Sequence, residues 1–323
     1  MAISMDVLKY DVAKEAERIA GKMREQLAEL RRRGCVMGVS GGIDSSTCAA
    51  LSVKAVGKDK TLGLFLNEDE SSDDTKKLGK LLADTLGIQQ ADENITGILK
   101  GARCYERRDE AYRQALPEYG EGWKAKIVLP SVIDSDSYRV YSLIALDPKG
   151  KEYKVRLPLE AYLKVVASTN FKQRTRKMLE YYHADRLNYA VCGTPNRLEY
   201  DQGFFVKLGD GAADVKPIAH LYKTQVYAMA AHLGVPAEIL GRPPTTDTYS
   251  LPQSQEEFYF SLPYDKMDLC LWAKNHGVST GDVAAALKLK PDQIERVYRD
   301  IDGKRGFAKY LHAQPMLIED VPV

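Results

Sequence analysis

The chain has 323 residues, of which 44% are hydrophobic and 28% charged, the composition of an ordinary globular protein. Its formal net charge of +1 gives no reason to expect nucleic acid or a membrane as a partner. The five cysteines are scattered without a Cys-x-x-Cys pair, which argues against a metal cluster or a disulfide framework and favours a reducing cytoplasm.

The first predicted element is an amphipathic helix over residues 6–33. Apolar residues recur at helical spacing from Val12 to Leu30, and Gly34 follows as a stop signal. We expect residues 1–34 to form this N-terminal helical unit. Because the chain has no apolar run before Met23, we do not expect a signal peptide. No stretch approaches the ~20 apolar residues of a membrane span.

The stretch from Cys35 to Ser46 predicts a short apolar strand, a Ser-Gly-Gly turn and the start of a helix. Gly41 and Gly42 allow a tight turn that brings backbone N–H groups close to an anion, and the helix N-terminus adds further N–H groups and partial positive charge. The sequence therefore predicts a phosphate site. Asp44 would repel a phosphate, so we expect it to bind a Mg²⁺ ion that accompanies the phosphates.

The following segments alternate helices with an apolar strand. Helices are predicted over Asp44–Val56 and Thr75–Leu86, with a buried strand at 61–66 between them. This alternation predicts an α/β fold, a doubly wound parallel sheet with helices on both faces, which we assign to residues 35–253. Ligands of such sheets bind at the carboxyl ends of the strands, where the Ser-Gly-Gly turn lies.

Residues from about 101 to 165 interrupt the alternation and are predicted to be an insertion. It is either a lid or a packing elaboration, and the sequence favours neither. Its predicted strands lie at 126–129, 138–146 and 152–157, with a hairpin turn at 147–150. The alternation resumes after Asn170, with a helix at 174–188, a strand at 189–194 and a helix at 223–233. A helical C-terminal segment follows at 254–323. Its predicted helices lie at 264–275, 279–287 and 291–300.

The loop pattern Ser-Gly-Gly-x-Asp-Ser resembles the pyrophosphate loop of the N-type ATP pyrophosphatases. Members of that superfamily cleave ATP between its α- and β-phosphates and adenylate a substrate oxygen. Several later segments resemble one of its families, the ammonia-dependent NAD synthetases. These segments are Asn170-x-Lys172-x-Arg174-Thr175-Arg176, Gly193-Thr194-x-Asn196-x-x-Glu199, the stretch from Phe204 to Asp214 with its Gly-Asp-Gly, Leu221-x-Lys223 and Pro244-Thr245-x-Asp247.

The resemblance implies an adenine nucleotide alpha hydrolase-like fold and a ligase that makes NAD from deamido-NAD and ammonia through an acyl adenylate, releasing AMP and pyrophosphate. It also implies ATP as co-substrate, Mg²⁺ as cofactor and a homodimer. The residues it implies for ATP are Gly38, Val39, Ser40, Gly41, Gly42, Ile43, Asp44, Ser45, Thr194, Lys223 and Thr245. Those for the metal are Asp44 and Glu199, and those for the acceptor are Arg174, Lys207, Asp214 and Lys304. No residue is assigned to covalent catalysis, because no nucleophile has an obvious base beside it.

Two departures from the family pattern leave the acceptor open. Gly303 stands where the family commonly has a histidine, and the acidic run from Asn67 to Glu70 replaces an Arg-Leu-Pro-type turn. One alternative is therefore a related enzyme that amidates another carboxylate. Others are an RNA-thiolation enzyme, which the neutral charge disfavours, and a nucleotide sensor without turnover. Ammonia is expected to arrive free or from a separate glutaminase.

Overall fold

The computed structural model describes residues 3–131, 140–246, 248–260 and 262–322, without the side chain of residue 73. Its first elements are α1 (Val12–Glu29), β1 (Cys35–Gly38), α2 (Ile43–Val56), β2 (Thr61–Phe65), α3 (Asp73–Leu86), β3 (Gln89–Asp92), α4 (Thr96–Gly101) and α5 (Cys104–Arg113). They are followed by β4 (Lys124–Val128), β5 (Ser142–Leu146), β6 (Glu152–Arg156), α6 (Leu159–Leu187), β7 (Ala190–Val191), α7 (Arg197–Gln202), α8 (Lys223–His232) and α9 (Ala237–Leu240). The last are α10 (Tyr264–Asn275), α11 (Thr280–Leu287) and α12 (Pro291–His312).

A parallel sheet with the strand order β3-β2-β1-β7 forms the centre of the fold. The chain adds β2 and β3 on one side of β1 and later returns to pair β7 on its other side. The strand order therefore reverses between β1 and β7. In open α/β sheets this switch point leaves a crevice beyond the carboxyl ends of the strands, and the Ser-Gly-Gly turn follows β1 at this edge.

Hydrophobic cores lie on both faces of the sheet, as the doubly wound prediction requires. Alternating residues of β1 point to opposite sides: Cys35 and Met37 pack in a core with α1, α2 and α8. Val36 packs on the other side with residues of α4 and α6, including Leu99 and Ala184. The predicted fold class is confirmed by this arrangement.

The insertion contains a second sheet, which is antiparallel and has the order β4-β5-β6. The predicted hairpin turn joins β5 to β6, where the N–H of Gly150 donates to the carbonyl of Asp147 at 2.9 Å. Apolar residues on one face, including Ile127 and Leu143, pack against α5 and the first half of α6 in a core of their own. The predicted strand at 138–146 is observed as β5; residues 138 and 139 lie outside the described residues.

The largest error of the sequence prediction concerns α6. The predicted helix starts at Arg174, whereas the observed helix already begins at Leu159 and runs unbroken to Leu187. Val165, Val166, Ser168 and Thr169 have weak helix propensity, which hides the helix in the sequence. Burial of Val165, Ser168 and Thr169 overrides that propensity, and α6 packs along α5 over this half.

Other elements differ in length or were not predicted. The N-terminal helix is a 3-10 turn at Met5–Leu8 followed by α1, and α12 extends to His312. The strand expected at 189–194 is only two residues long, Ala190–Val191, and is followed by an isolated bridge between Cys192 and Val215. Strand β3 is too polar to be predicted, and helices α4, α7 and α9, with four to six residues each, are too short to show a helical pattern. In the described part of the chain, no helix has the length and apolar character needed to cross a bilayer.

Candidate active site

A cavity of about 410 Å³ opens at the switch point of the parallel sheet. Its floor is the turn after β1 and the segment after β7, and its walls come from α6, from residues 203–206 and from residues 242–246 and 248–249. All five of the later sequence segments that resemble the synthetase family thus contribute residues to one pocket, together with the loop after β1. The predicted ATP residues that line it are Gly38, Val39, Ser40, Gly42, Ile43, Asp44, Ser45, Thr194, Lys223 and Thr245.

The turn after β1 has the geometry of an anion-binding loop. Gly41 adopts a positive φ of 65°, and a Cβ there would lie 2.5 Å from the Cβ of Leu78, so no larger residue fits. Gly42 is the N-cap of α2 and has no side chain to accept the first N–H groups of the helix. These N–H groups therefore remain available to an anion in the pocket. Ser45 holds the turn closed, since its hydroxyl donates to the carbonyl of Gly42 at 3.1 Å.

A charged cluster lies beside this loop. The ammonium of Lys223, from the start of α8, forms an ion pair with Asp44. The amide of Asn196 donates to the other oxygen of Asp44 at 3.0 Å, and Gln255 donates to Glu199 at 3.1 Å. Burial and the charge of Asp44 raise the pKa of Glu199 well above its usual range. Burial opposes the charge of Lys223, but Asp44 and Glu199 outweigh it and raise the pKa of Lys223.

Lys223 is held in place from a distant part of the chain. Asp268, on α10, is fully buried and accepts hydrogen bonds from the backbone N–H groups of Lys223 at 3.1 Å and Thr224 at 2.7 Å. It therefore caps α8 at the helix start. Burial raises the pKa of Asp268 to about 7. Asp268 could not be found from the sequence, because no local pattern links it to a helix that begins 45 residues earlier.

The cluster fits a hard divalent cation. Asp44 and Glu199 are two partly or fully buried carboxylates whose mutual repulsion is offset by a single ammonium. Mg²⁺ is commonly held by one or two carboxylates together with substrate phosphates, so this donor set is appropriate. Among the described residues, no group of three or more His, Cys, Asp or Glu forms a metal site without a substrate.

The residues predicted to bind the acceptor do not line the cavity in the described part of the chain. Arg174 is on α6 and donates to the carbonyl of Lys207 at 3.3 Å. Lys207 donates to two carbonyls at the end of α12, Tyr310 at 2.9 Å and Ala313 at 3.1 Å. These contacts place Arg174 and Lys207 next to one another on the surface.

The other two predicted acceptor residues are held by backbone contacts. Asp214 accepts a hydrogen bond from the N–H of Val191 in β7 at 2.7 Å. Lys304 donates to the carbonyl of Tyr259 at 2.7 Å and forms an ion pair with Asp300. Gly41 of the loop likewise falls outside the cavity lining, and Asp247 of the Pro-Thr-x-Asp segment lies outside the described residues.

Several charged residues of the cavity were not assigned from the sequence. Arg176 donates to the carbonyl of Leu66 at 3.2 Å, and Lys177 pairs with Glu180 at 2.5 Å. Arg242 lies beside the anion-binding loop. The sequence pointed in part to Arg176, because it belongs to the basic run at 170–176. For Arg242, the sequence offered only its position directly before Pro243-Pro244-Thr245.

Aromatic side chains form the remaining wall. Tyr141 of the insertion stacks on Tyr162 of α6 with 4.3 Å between ring centroids, and Phe258 lies 6.5 Å from Tyr141. All three line the cavity. The insertion therefore contributes to the pocket as well as building its own core.

Comparisons with known proteins identify the family of this chain and support its fold. The family model described as NAD synthase matches residues 15–115 and 140–306. The NH(3)-dependent NAD(+) synthetase of Rhizobium meliloti (strain 1021) is 56% identical over 321 residues, which cover 99% of this chain and 96% of that protein. The solved NMN synthetase of Francisella tularensis superposes with a TM-score of 0.65 at 20% identity, covering 96% of this chain and 99% of that one. The NH3-dependent NAD synthetase of Campylobacter jejuni superposes with a TM-score of 0.61 at 20% identity, covering 96% and 100%. At this identity the two structures establish the fold alone.

Proposed function

The chain belongs to the NAD synthase family, and we propose that its large cavity is where ATP and ammonia are used to convert deamido-NAD to NAD. One observation carries the proposal. The loop after β1 and the cluster of Asp44, Lys223 and Glu199 line the same cavity. An anion-binding loop beside a carboxylate pair suits a nucleotide triphosphate and its cation. The alternatives of another acceptor or an RNA substrate have no comparable support.

The reaction has two steps. A carboxylate oxygen of deamido-NAD attacks the α-phosphorus of ATP, the bond to the β-phosphate oxygen breaks, and pyrophosphate leaves with the electron pair. Ammonia then attacks the carbonyl carbon of the acyl adenylate, AMP leaves, and a proton is lost from nitrogen. Because no covalent enzyme intermediate is needed, the chain acts by positioning the reactants and stabilising negative charge.

We propose roles for the clustered residues on this basis. Free N–H groups at the start of α2 would receive a phosphate of ATP, and Thr194 and Thr245, which line the same cavity, would offer hydroxyl groups. Asp44 and Glu199 would hold Mg²⁺, and the bound ion would supply positive charge that offsets the phosphate charge. Lys223, which pairs with Asp44, would offset negative charge at this site before the cation binds.

We also propose a homodimer in which Arg174, Lys207, Asp214 and Lys304 help to bind the acceptor at or near the contact between copies. The exposed apolar side chains on α6 support this, since Leu159, Leu163, Met178 and Tyr182 are all more than half exposed in one chain. Arg174 lies on the same helix. Sedimentation that gives the mass of one chain at all concentrations would contradict the dimer.

The catalytic test is an assay with ATP, Mg²⁺, ammonium and deamido-NAD. We expect AMP, pyrophosphate and NAD in equal amounts, each dependent on all the other reactants. Release of ADP, or AMP release that does not depend on deamido-NAD, would overturn the function. Substitution of nicotinic acid mononucleotide or another carboxylate for deamido-NAD distinguishes the acceptor. A cytoplasmic setting, where the five buried cysteines remain thiols, is part of the same proposal.

A further inference from the structure

Arg242 joins the anion-binding loop to the start of α3. One terminal nitrogen of its guanidinium donates to the carbonyl of Ser40 at 3.3 Å. The other donates to the hydroxyl groups of Ser72 at 3.3 Å and Thr75 at 3.2 Å. Ser72 is the N-cap of α3, and the Arg242 side chain lines the cavity. The guanidinium is therefore next to the loop that we expect to receive phosphate.

The charge of Arg242 is not neutralised within the described part of the chain. Its three acceptors there are uncharged, and their distances exceed the 2.7–2.9 Å typical of charge-assisted bonds. Other cations near the cavity differ: Lys223 pairs with Asp44, and Lys177 pairs with Glu180. Arg242 also lies near the positive ends of α2 and α3, which is unfavourable unless an anion is present.

The loop itself supplies no cation. It lacks the lysine that follows the glycines in other phosphate loops, and Lys223 is engaged by a carboxylate. In the adenylation step, negative charge builds up on the departing pyrophosphate. A planar guanidinium that can donate two parallel hydrogen bonds suits that group.

We propose that Arg242 is a catalytic residue that binds the β- and γ-phosphates of ATP and the pyrophosphate formed from them. This role of Arg242 rests on the proposed function, because pyrophosphate is the leaving group of the proposed adenylation step. The guanidinium exchanges its weak bonds to Ser40, Ser72 and Thr75 for phosphate oxygens. It stays protonated throughout, so it stabilises the leaving group without transferring a proton.

The test compares the affinity of the full chain for magnesium pyrophosphate and for AMP by calorimetry. Arg242→Gln should weaken pyrophosphate binding by roughly 10- to 100-fold, the loss expected for hydrogen bonds to a charged group. AMP binding should be unchanged, because AMP lacks the phosphates that Arg242 contacts. Arg242→Lys should retain part of the pyrophosphate affinity that Arg242→Gln loses, since lysine keeps the positive charge but cannot donate two parallel hydrogen bonds.

Arg24→Gln is the matched control, because Arg24 also donates to a backbone carbonyl, that of Ala55, away from the cavity. It should alter neither affinity. If Arg242→Gln weakens both ligands equally, the residue only holds the loop in shape and the proposal is wrong; unchanged pyrophosphate binding also refutes it. If the wild-type chain binds pyrophosphate as expected but makes no NAD, the proposed function fails, and only the role of Arg242 in binding pyrophosphate stands.

Discussion

Replacing Lys172 by methionine would test the ion cluster behind the cavity. The Lys172 side chain is only 1% exposed, and its ammonium donates to Glu68 at 2.8 Å, to Glu70 at 2.7 Å and to the carbonyl of Thr248 at 2.9 Å. Arg108 also pairs with Glu70. The cluster therefore connects α6, the acidic run after β2, helix α5 of the insertion and the cavity wall near Thr248.

The structure sets the size of the effect. In Lys172→Met, Glu70 keeps its pairing with Arg108, but Glu68, whose side chain is fully buried, keeps only hydrogen bonds such as that from Tyr105 at 2.6 Å. One buried carboxylate is then uncompensated, which typically costs about 3–5 kcal/mol when a buried partner is removed. We expect the lower part of that range at neutral pH because the remaining hydrogen bonds to Glu68 survive.

The pH dependence gives the sharper test. In the wild-type chain, burial raises the pKa of Glu68, but Lys172 and Tyr105 lower it further, so the net pKa is below its usual value. That contribution to stability is present above the unfolded pKa of about 4.3 and is lost as the pH falls through the folded value. Without Lys172, burial prevails and the pKa of Glu68 is raised. The stability of the variant then decreases as the pH rises above about 4.3.

Urea unfolding of both chains at pH 4.5 and pH 7.5 measures this difference. The loss of free energy of unfolding in Lys172→Met should be clearly larger at pH 7.5. Lys164→Met is the matched control, because Lys164 is on the same helix, is 47% exposed and pairs with Glu160 one turn away. Its effect should be small at both pH values. Equal losses at the two pH values, or equal losses in the two variants, would refute the reasoning.

Three further predictions concern the cavity. Asp44→Asn and Glu199→Gln should each lower turnover about 10- to 100-fold, because each removes a charged ligand from the proposed metal site. Circular dichroism should show an unchanged fold. Near-full rates at saturating Mg²⁺ would contradict the metal site. In the wild-type chain, the raised pKa of Asp268 should make the free energy of unfolding fall as the pH rises through about 7, and Asp268→Asn should flatten this fall in urea titrations at pH 5 and 8. Gly41→Ala should abolish ATP binding measured by calorimetry, since the new Cβ would lie 2.5 Å from a side-chain carbon of α3. Gly57→Ala is the control: Gly57 also has a positive φ, but open space surrounds it, so ATP binding should persist.

The fold class could be predicted from the sequence because its signals are local. The apolar residues of β2, the glycine stops and the helical spacing of α1 each depend on neighbours within a few positions. The loop after β1 was predictable for the same reason, since Gly41 and Gly42 determine its turn by their own backbone freedom. The start of α6 was not, because burial of Val165 and Thr169 against distant segments outweighs local propensity.

The sequence by itself thus determined the alternating strands and helices, the anion-binding loop and the family. The tertiary structure alone decided which charges meet. Asp44 and Lys223 are 179 residues apart, Lys172 reaches Glu68 across 104 residues, and Arg242 reaches Ser40 across 202. Charges interact strongly only when they are brought close together and removed from water, and both conditions arise from packing that no local pattern of residues specifies.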